Sequence, residues 1–349
     1  MNKTHAQNAL HAAALAVLRA KSALRHVVLV LVALMSTAGL QGHARADTAE
    51  AEKLMFQLQI ARMNRLIRHQ PDLTPFISGA GSGALNADIT DDEGTLTFSS
   101  GVNQRLWARA TGRWGEDGLR TDKYGFGAMG VHAYVAPTLI VGGMIEADYL
   151  AQKGASSDRK GTGAMAGSYF LARNANHPLF FDGRLLVGQA SDGISLSGQG
   201  GGQPDTRRGL AQLRLSGKLR YDATTLTPNV LVSHVVDEVA PGQGGSGTGQ
   251  SLSMRHIRVG LDFRHIVRHM NGARFIIKGG GALSDTSTRR YGYSTFLMPV
   301  ERKRNGRVNV GFSYVTDAGS SLVIDSFVEG LGGRARQNYG VKAGFDIQF

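Results

Sequence analysis

Residues 336–349 read RQNYGVKAGFDIQF, and the order of these residues decides the fold. Tyr339, Val341, Ala343, Phe345, Ile347 and Phe349 take every second position, with Gly340, Lys342, Gly344, Asp346 and Gln348 between them. Successive side chains of an extended strand point to opposite faces, so this segment has one apolar face ending on an aromatic and one small or polar face. The same pattern recurs upstream. Ile257, Val259, Leu261 and Phe263 alternate with Arg258, Gly260, Asp262 and Arg264. Leu213, Leu215, Gly217, Leu219 and Tyr221 alternate with Arg214, Ser216, Lys218 and Arg220. Leu322, Ile324, Ser326 and Val328 alternate with Val323, Asp325, Phe327 and Glu329. A membrane barrel with an apolar exterior gives this signal, and so does a half-buried sheet in a soluble sandwich.

The connections separate the two. Twelve strand-like segments are expected at roughly 103–115, 123–136, 138–150, 162–173, 178–190, 207–221, 225–236, 252–266, 273–283, 304–315, 320–330 and 336–349. Most are longer than the about five or six residues of a soluble strand. Every second connection is short: Ala136-Pro137, then 174–177, 222–224, 267–272 and 316–319. The alternate ones are mostly long and polar, at 151–161, 191–206, 237–251 and 284–303. An even-stranded meander with alternating short and long connections is the pattern of bacterial outer-membrane barrels, with short periplasmic turns and long outer loops. A Greek-key sandwich gives no reason for it. The expected fold class is therefore all-β, a 12-stranded antiparallel transmembrane barrel.

The N-terminal 46 residues read as a separate segment. Lys3, Arg19, Lys21 and Arg25 precede the apolar run Val27–Leu40, and Ala44-Arg45-Ala46 follows as an A-x-A cleavage pattern. A basic start, a short apolar run and a small-residue exit describe a secretory signal. The run is shorter than the about 20 apolar residues that a spanning helix needs. Removing 1–46 takes away five basic residues and no acid from a chain of net charge +12. The remainder is mildly basic, without the Lys/Arg blocks and interleaved aromatics of a nucleic-acid surface. A basic exterior suits outer-membrane lipid and anionic lipopolysaccharide. There is no cysteine, so disulfide scaffolds and thiolate metal sites are excluded.

Residues 47–70 form a helical stretch, with Phe56, Ile60, Met63 and Ile67 along one face. At ~1.5 Å per residue it is roughly 30 Å long, close to a bilayer core. Arg62, Arg65 and Arg68 lie in its C-terminal half. Candidate lumen acids to pair with them are Glu146, Asp148, Asp262, Asp325, Glu329 and Asp346. The expectation is a helix held inside the pore by these pairs; a helix outside the barrel with solvated arginines is the competing reading. Residues 71–102 are Gly/Ser/Asp-rich and read as a link with one strand-like piece at 95–99. The barrel occupies 103–349.

Several motifs in series resemble the C-terminal translocator domain of autotransporters, the type V secretion proteins. They are the helix followed by Gln70-Pro71-Asp72-Leu73 and Pro75-Phe76, then Leu106-Trp107-Ala108-Arg109, Leu139–Gly143, and Gly161–Gly167 with Tyr169-Phe170. Phe181-Asp182-Gly183-Arg184-Leu185, Gly188 and the strand ending at Phe349 complete the series. The resemblance implies a 12-stranded barrel with the helix threaded through its lumen. It implies a terminal strand (Tyr339, Val341, Phe345, Ile347, Phe349) read by the outer-membrane assembly machinery, delivery by periplasmic chaperones, and export of a passenger. Only a few residues separate the expected cleavage site from the helix, so the passenger is expected to be very short or separately encoded. Family members that cleave themselves do so at an asparagine pair in the helix; here Asn64 stands alone.

No catalytic constellation, cofactor motif or metal-ligand spacing is evident, and a non-enzymatic role is expected. The rival readings are a small-solute pore or loop-displaying surface protein, and a membrane-embedded hydrolase using His234, Asp237 and Glu238 near an outer rim. Arg264, His265, Arg268 and His269 form a basic patch by a turn, without the carboxylates a metal site would need. Gly143, Gly167, Gly188, Gly217 and Gly260 are expected to permit bends or close approach to the helix.

Overall fold

The computed structural model describes residues 48–78, 85–90, 95–100, 105–117, 120–154, 157–196, 199–200, 205–239, 250–268, 272–291, 301–317, 320–332 and 337–346. The expected signal segment, Ile347 and Phe349 lie outside the described residues. Helix α1 spans Thr48–His69, and a single turn, α2, spans Pro75–Ser78. The strands are β1 (Leu85–Thr90), β2 (Thr95–Ser100), β3 (Leu106–Asp117), β4 (Arg120–Ala136), β5 (Leu139–Lys153), β6 (Ser157–Arg173), β7 (Leu179–Leu196) and β8 (Gln199–Gly200). They continue with β9 (Asp205–Gly217), β10 (Leu219–Tyr221), β11 (Thr224–Val239), β12 (Gln250–Arg268), β13 (Arg274–Tyr291), β14 (Glu301–Val315), β15 (Ser321–Leu331) and β16 (Asn338–Asp346).

All pairings are antiparallel, and from β3 to β7 and from β11 to β16 each strand pairs with its neighbours in sequence. Strand β9 pairs with both β7 and β11, and β10 continues it after Lys218, so these two count as one barrel strand. The twelve expected strands are therefore β3 to β7, β9 with β10, and β11 to β16. Segment 71–102 contributes more than a link. It holds the hairpin β1–β2, which pairs with β3 on one side and meets β16 through Thr90 and Lys342 on the other. The series of pairings thereby returns on itself as a barrel.

Strands outrun the expected segments at one end. β5 reaches Lys153 and β6 starts at Ser157, so most of the loop expected at 151–161 is strand. β7, β11, β12 and β13 likewise extend into ranges read as loops. The reason is physical: beyond the lipid, the apolar alternation stops, but a backbone ladder needs no apolar side chains to continue. The short turns stand where expected. In the two-residue turn between β10 and β11, Asp222 adopts φ 50°, a left-handed conformation that Asp tolerates. Gly330, at φ 90°, occupies a bulge between Glu329 and Leu331, with its N–H donating to the Asn305 side chain at 2.6 Å.

The outward positions are apolar. Leu185 is 61% exposed, Val187 66%, Val259 54% and Leu283 72%, and Leu213, Leu215, Ile257, Leu261, Ile324 and Val341 join them. A soluble monomer rarely exposes a contiguous apolar patch beyond a few hundred Å². Exposed aromatics bound this belt: Tyr221 and Tyr314 by the short turns, and Trp114, Tyr149 and Tyr339 toward the other end. On β5 the outward positions run from Leu139 by the short turn to Tyr149, ten residues on. At ~3.3 Å per residue and a tilt of ~40°, that is about 25 Å of height, the thickness of an outer-membrane barrel's apolar band. Of the terminal-strand residues expected to direct assembly, Tyr339 and Val341 project outward at 74% and 58% exposed.

Candidate functional site: the plugged lumen

Helix α1 runs inside the barrel. Its apolar face (Phe56, Met63 and Ile67) is buried, and so are Leu58, Gln59, Arg62 and Leu66 on its other sides. Burial of apolar and polar faces together requires a wall around the helix that mixes both characters. Inward positions supply it: Met144, Leu150, Met165, Leu186, Leu210 and Met254 pack with the helix's apolar residues into one core. Strand alternation alone points to a small or polar lumen face. The mixed one arises because the wall facing α1 is a protein interior and no longer a water channel.

Arg62 is the centre of the polar part, with a fully buried side chain. Its Nε lies 3.3 Å from Asp148 Oδ2 on β5, and its Nη1 donates to Asp192 Oδ1 and, at 3.3 Å, to the Ser191 carbonyl on β7. Arg208 on β9 donates to Asp148 at 2.9 Å and forks onto both oxygens of Asp237 on β11 at 2.7 and 2.6 Å. Acid and base thus alternate as Asp192–Arg62–Asp148–Arg208–Asp237 across four wall strands and the helix. A buried guanidinium is tolerated when its charge is met, and Asp148 and Asp192 meet that of Arg62, while its Nη2 has no hydrogen-bond partner among the described residues. Glycines make the room. A Cβ at Gly161 would stand 2.5 Å from Arg62 Nη1, and one at Gly163 would stand 2.6 Å from Asp148 Oδ1.

A second cluster fixes the chain where the helix ends. Gln70 donates to both oxygens of Glu146 at 3.0 Å and accepts from Arg184 Nη1 at 3.1 Å. Arg184 Nη2 donates to the Pro71 carbonyl at 2.8 Å, and Arg214 donates to Asp72 at 2.6 Å. The third cluster lies beneath. Trp107 Nε1 donates to the Tyr169 hydroxyl at 2.8 Å, which also lies 2.9 Å from His132 Nδ1. Phe76 of α2 packs on the Trp107 and His132 rings, and the Tyr134 hydroxyl donates to its carbonyl at 3.1 Å. These contacts orient α1. Phe56 and Gln57 lie by Arg290 and Arg159 at the long-loop end, and Phe76 lies at the short-turn end.

The expected arginine–acid pairs are brought together in part. Arg62 meets Asp148, Arg65 meets Asp122, and Arg68 Nη1 lies 3.4 Å from Glu329. Glu146 holds Gln70 instead of an arginine of the helix. Asp262 accepts from Asn229 at 3.2 Å and Asp325 from Lys278 at 2.9 Å, both within the wall. The Asp346 side chain lies outside the described residues, as does that of Phe345. As lumen partners Asp122, Asp192, Arg184 and Arg208 were not anticipated, and Asp237 was expected at an outer rim. Asp122 fell between two expected strands, and Asp192 and Asp237 fell in ranges read as loops. Arg208 was open to discovery, since it shares strand parity with the inward Arg214.

Two other expectations change. Gly143, Gly167, Gly188, Gly217 and Gly260 neighbour wall atoms, and Gly161 and Gly163 are the glycines that face the helix. His234 and Asp237 are an odd number of residues apart on β11; His234 is exposed on the outer face and Asp237 is buried inward, so they form no joint site. His265 Nδ1 lies 2.8 Å from the Thr224 hydroxyl, and His269 lies outside the described residues. Among the described residues, no cluster of three potential metal ligands occurs.

No protein-family model and no curated protein matches the chain. Among solved structures, it is similar to the β domain of the Bordetella autotransporter BrkA, with a TM-score of 0.43 and 17% identity over 69% of this chain and 97% of that one. It is also similar to the translocator domain of the autotransporter NalP from Neisseria meningitidis, with a TM-score of 0.42 and 11% identity over 86% and 98% of the two chains. The transport unit of the autotransporter AIDA-I from Escherichia coli follows, at 0.39 and 14% over 71% and 91%. The barrel itself is established by the strand pairings and the apolar exterior.

Proposed function

We propose that this chain is an outer-membrane translocator-type barrel, without catalytic activity, that is plugged by its own helix. It exports or displays a very short or separately encoded passenger. The observation that carries the reading is the helix held along the lumen by charged and polar pairs at successive levels, with its N-terminal part toward the long-loop end. A polypeptide joined to that end is presented at the outer face. The short-turn end then faces the periplasm, where assembly begins with a terminal strand of alternating apolar residues.

The test has two parts. Outer-membrane fractions are compared boiled and unboiled on a denaturing gel, with and without Phe349, and an epitope placed immediately before Thr48 is probed on intact cells. A heat-dependent mobility shift that weakens without Phe349, with the epitope labelled outside, supports the reading. A soluble periplasmic protein with no shift removes it, and a shifted barrel with a shielded epitope removes translocation.

A small-solute pore is the second reading. It draws on the inward side chains of Arg258, Asp262, Lys278 and Asp325, which remain partly exposed beside the helix. Steady conductance of the intact protein in planar bilayers favours it; closure relieved by deleting 48–69 favours the plugged translocator.

A further inference from the structure

Above the apolar belt, the outer wall of β11–β14 changes character abruptly. On β12 the outward side chains from Val267 to Ile257 are apolar except His265, and the next outward residues are Arg255, Ser253 and Ser251. Ten residues at ~3.3 Å and a tilt of ~40° make about 25 Å, so Arg255 stands about 5 Å above the belt, at headgroup level. The neighbouring strands change at the same level. Leu283 gives way to Asp285, Ser287 and Arg289 on β13, and Val308 and Gly306 give way to Arg304 and Arg302 on β14. Strand register sets these residues side by side: His234 opposite Arg255, Arg255 opposite Ser287, Ser287 opposite Arg302, and Ser253 opposite Arg289.

The surface is concave here. A cavity of about 320 Å³ is lined by Arg255, Arg289, His234, Ser253, Ser287 and Tyr291, among others. Asp285 braces its edge, accepting from Arg302 Nε at 3.0 and 2.9 Å and lying 3.6 Å from Arg304. Across the barrel the outward cations at this height are lysines, and Lys153 pairs in register with Asp158. Arginine's planar fork matches phosphate oxygens in a way that a lysine ammonium does not.

We propose that this cavity binds the phosphorylated headgroup of an outer-leaflet glycolipid, lipopolysaccharide, with its acyl chains lying on Ile257, Val259, Leu283 and Val308 below. The proposal rests on the barrel sitting in the outer membrane. Arg255 and Arg289 grip phosphate, and the serine and tyrosine hydroxyls meet sugar hydroxyls.

The test uses the full mature chain in detergent, stripped of lipid, and measures binding of purified lipopolysaccharide, the same lipid with its phosphates removed, phosphatidylglycerol, and inorganic phosphate as competitor. Arg255→Gln/Arg289→Gln is compared with Lys123→Gln/Lys153→Gln on the far wall. Loss of an arginine–phosphate contact weakens binding roughly tenfold per residue. Weakening in the arginine variant and with dephosphorylated lipid, but not in the lysine variant, supports the site. Equal binding by both variants, equal binding of phosphatidylglycerol, or displacement by millimolar inorganic phosphate overturns it. A heat-dependent gel shift in each variant separates the two failures. A shift with unchanged lipid binding removes this inference alone, whereas absence of the shift in the unaltered chain removes the membrane reading beneath it.

Discussion

Replacing Arg62 with alanine isolates what holds the helix in the pore. The guanidinium has three partners: Asp148, Asp192 and the Ser191 carbonyl. Asp148 keeps Arg208 after the change, so the penalty falls on Asp192, whose side chain is wholly buried. Breaking a buried pair costs about 3–5 kcal/mol, and water entering a lumen brings the figure to the low end. About 3 kcal/mol shifts the docked-to-undocked ratio roughly 150-fold. The assay is hydrogen exchange of the amides from Leu58 to Leu66 in detergent-solubilised barrel, paired with single-channel recording. Protection should fall by about that factor and the open fraction should rise. Asp192→Asn alone should behave similarly, and the double variant should recover about 1–3 kcal/mol relative to the sum, because the two changes remove one shared interaction. Unchanged protection in Arg62→Ala, or strictly additive single effects, refutes the reasoning.

Gly163→Leu places a side chain where Asp148 and the Arg62 and Arg208 guanidiniums converge, so it should undock the helix as Arg62→Ala does while leaving the heat-dependent gel shift intact. Tyr169→Phe strips Trp107 and His132 of their shared partner; one unsatisfied buried donor costs about 1–3 kcal/mol, readable as a lower unfolding midpoint with altered tryptophan emission. Val259→Arg puts a charge in the apolar belt and should cost about 2–4 kcal/mol in urea-titrated folding into vesicles, whereas the inward Asn309→Ser should cost far less.

Strand alternation was legible because lipid imposes it: Ile257, Val259, Leu261 and Phe263 must face outward, and a period of two in the sequence follows directly. The turns were legible for the same reason, since a short connection leaves no freedom in where a strand ends. The hairpin β1–β2 was half visible, through Thr95–Ser99; Leu85, Ala87 and Ile89 alternate with Asn86, Asp88 and Thr90 in its first strand, but six residues inside a Gly/Ser/Asp-rich stretch give too short a run to stand out. The site was harder. Arg62 was recognisable as one of three arginines in the C-terminal half of the helix, but its partner Asp192 comes from a strand extension where hydrophobic patterning has already stopped. Ion pairs between residues 130 positions apart depend on how far the helix penetrates and on its rotation about its own axis. Neither quantity is written in local spacing. Gly161 and Gly163 showed only as part of a Gly-rich motif, and their role emerges once the guanidinium above them is placed.

The chain Asp192–Arg62–Asp148–Arg208–Asp237 joins three acids to two arginines, and one of those arginines belongs to the helix. Withdrawing the helix leaves three carboxylates on the wall facing a single cation. The opposite wall keeps Arg258, Lys278 and Arg307, but Asp325 and Glu329 pair with the latter two and Asp262 lies beside Arg258. The vacated lumen is then electrically lopsided, with its uncompensated negative charge on the side of Asp148, Asp192 and Asp237. Small cations gather along that side, so the ion selectivity of the unplugged barrel reports how far the helix has withdrawn.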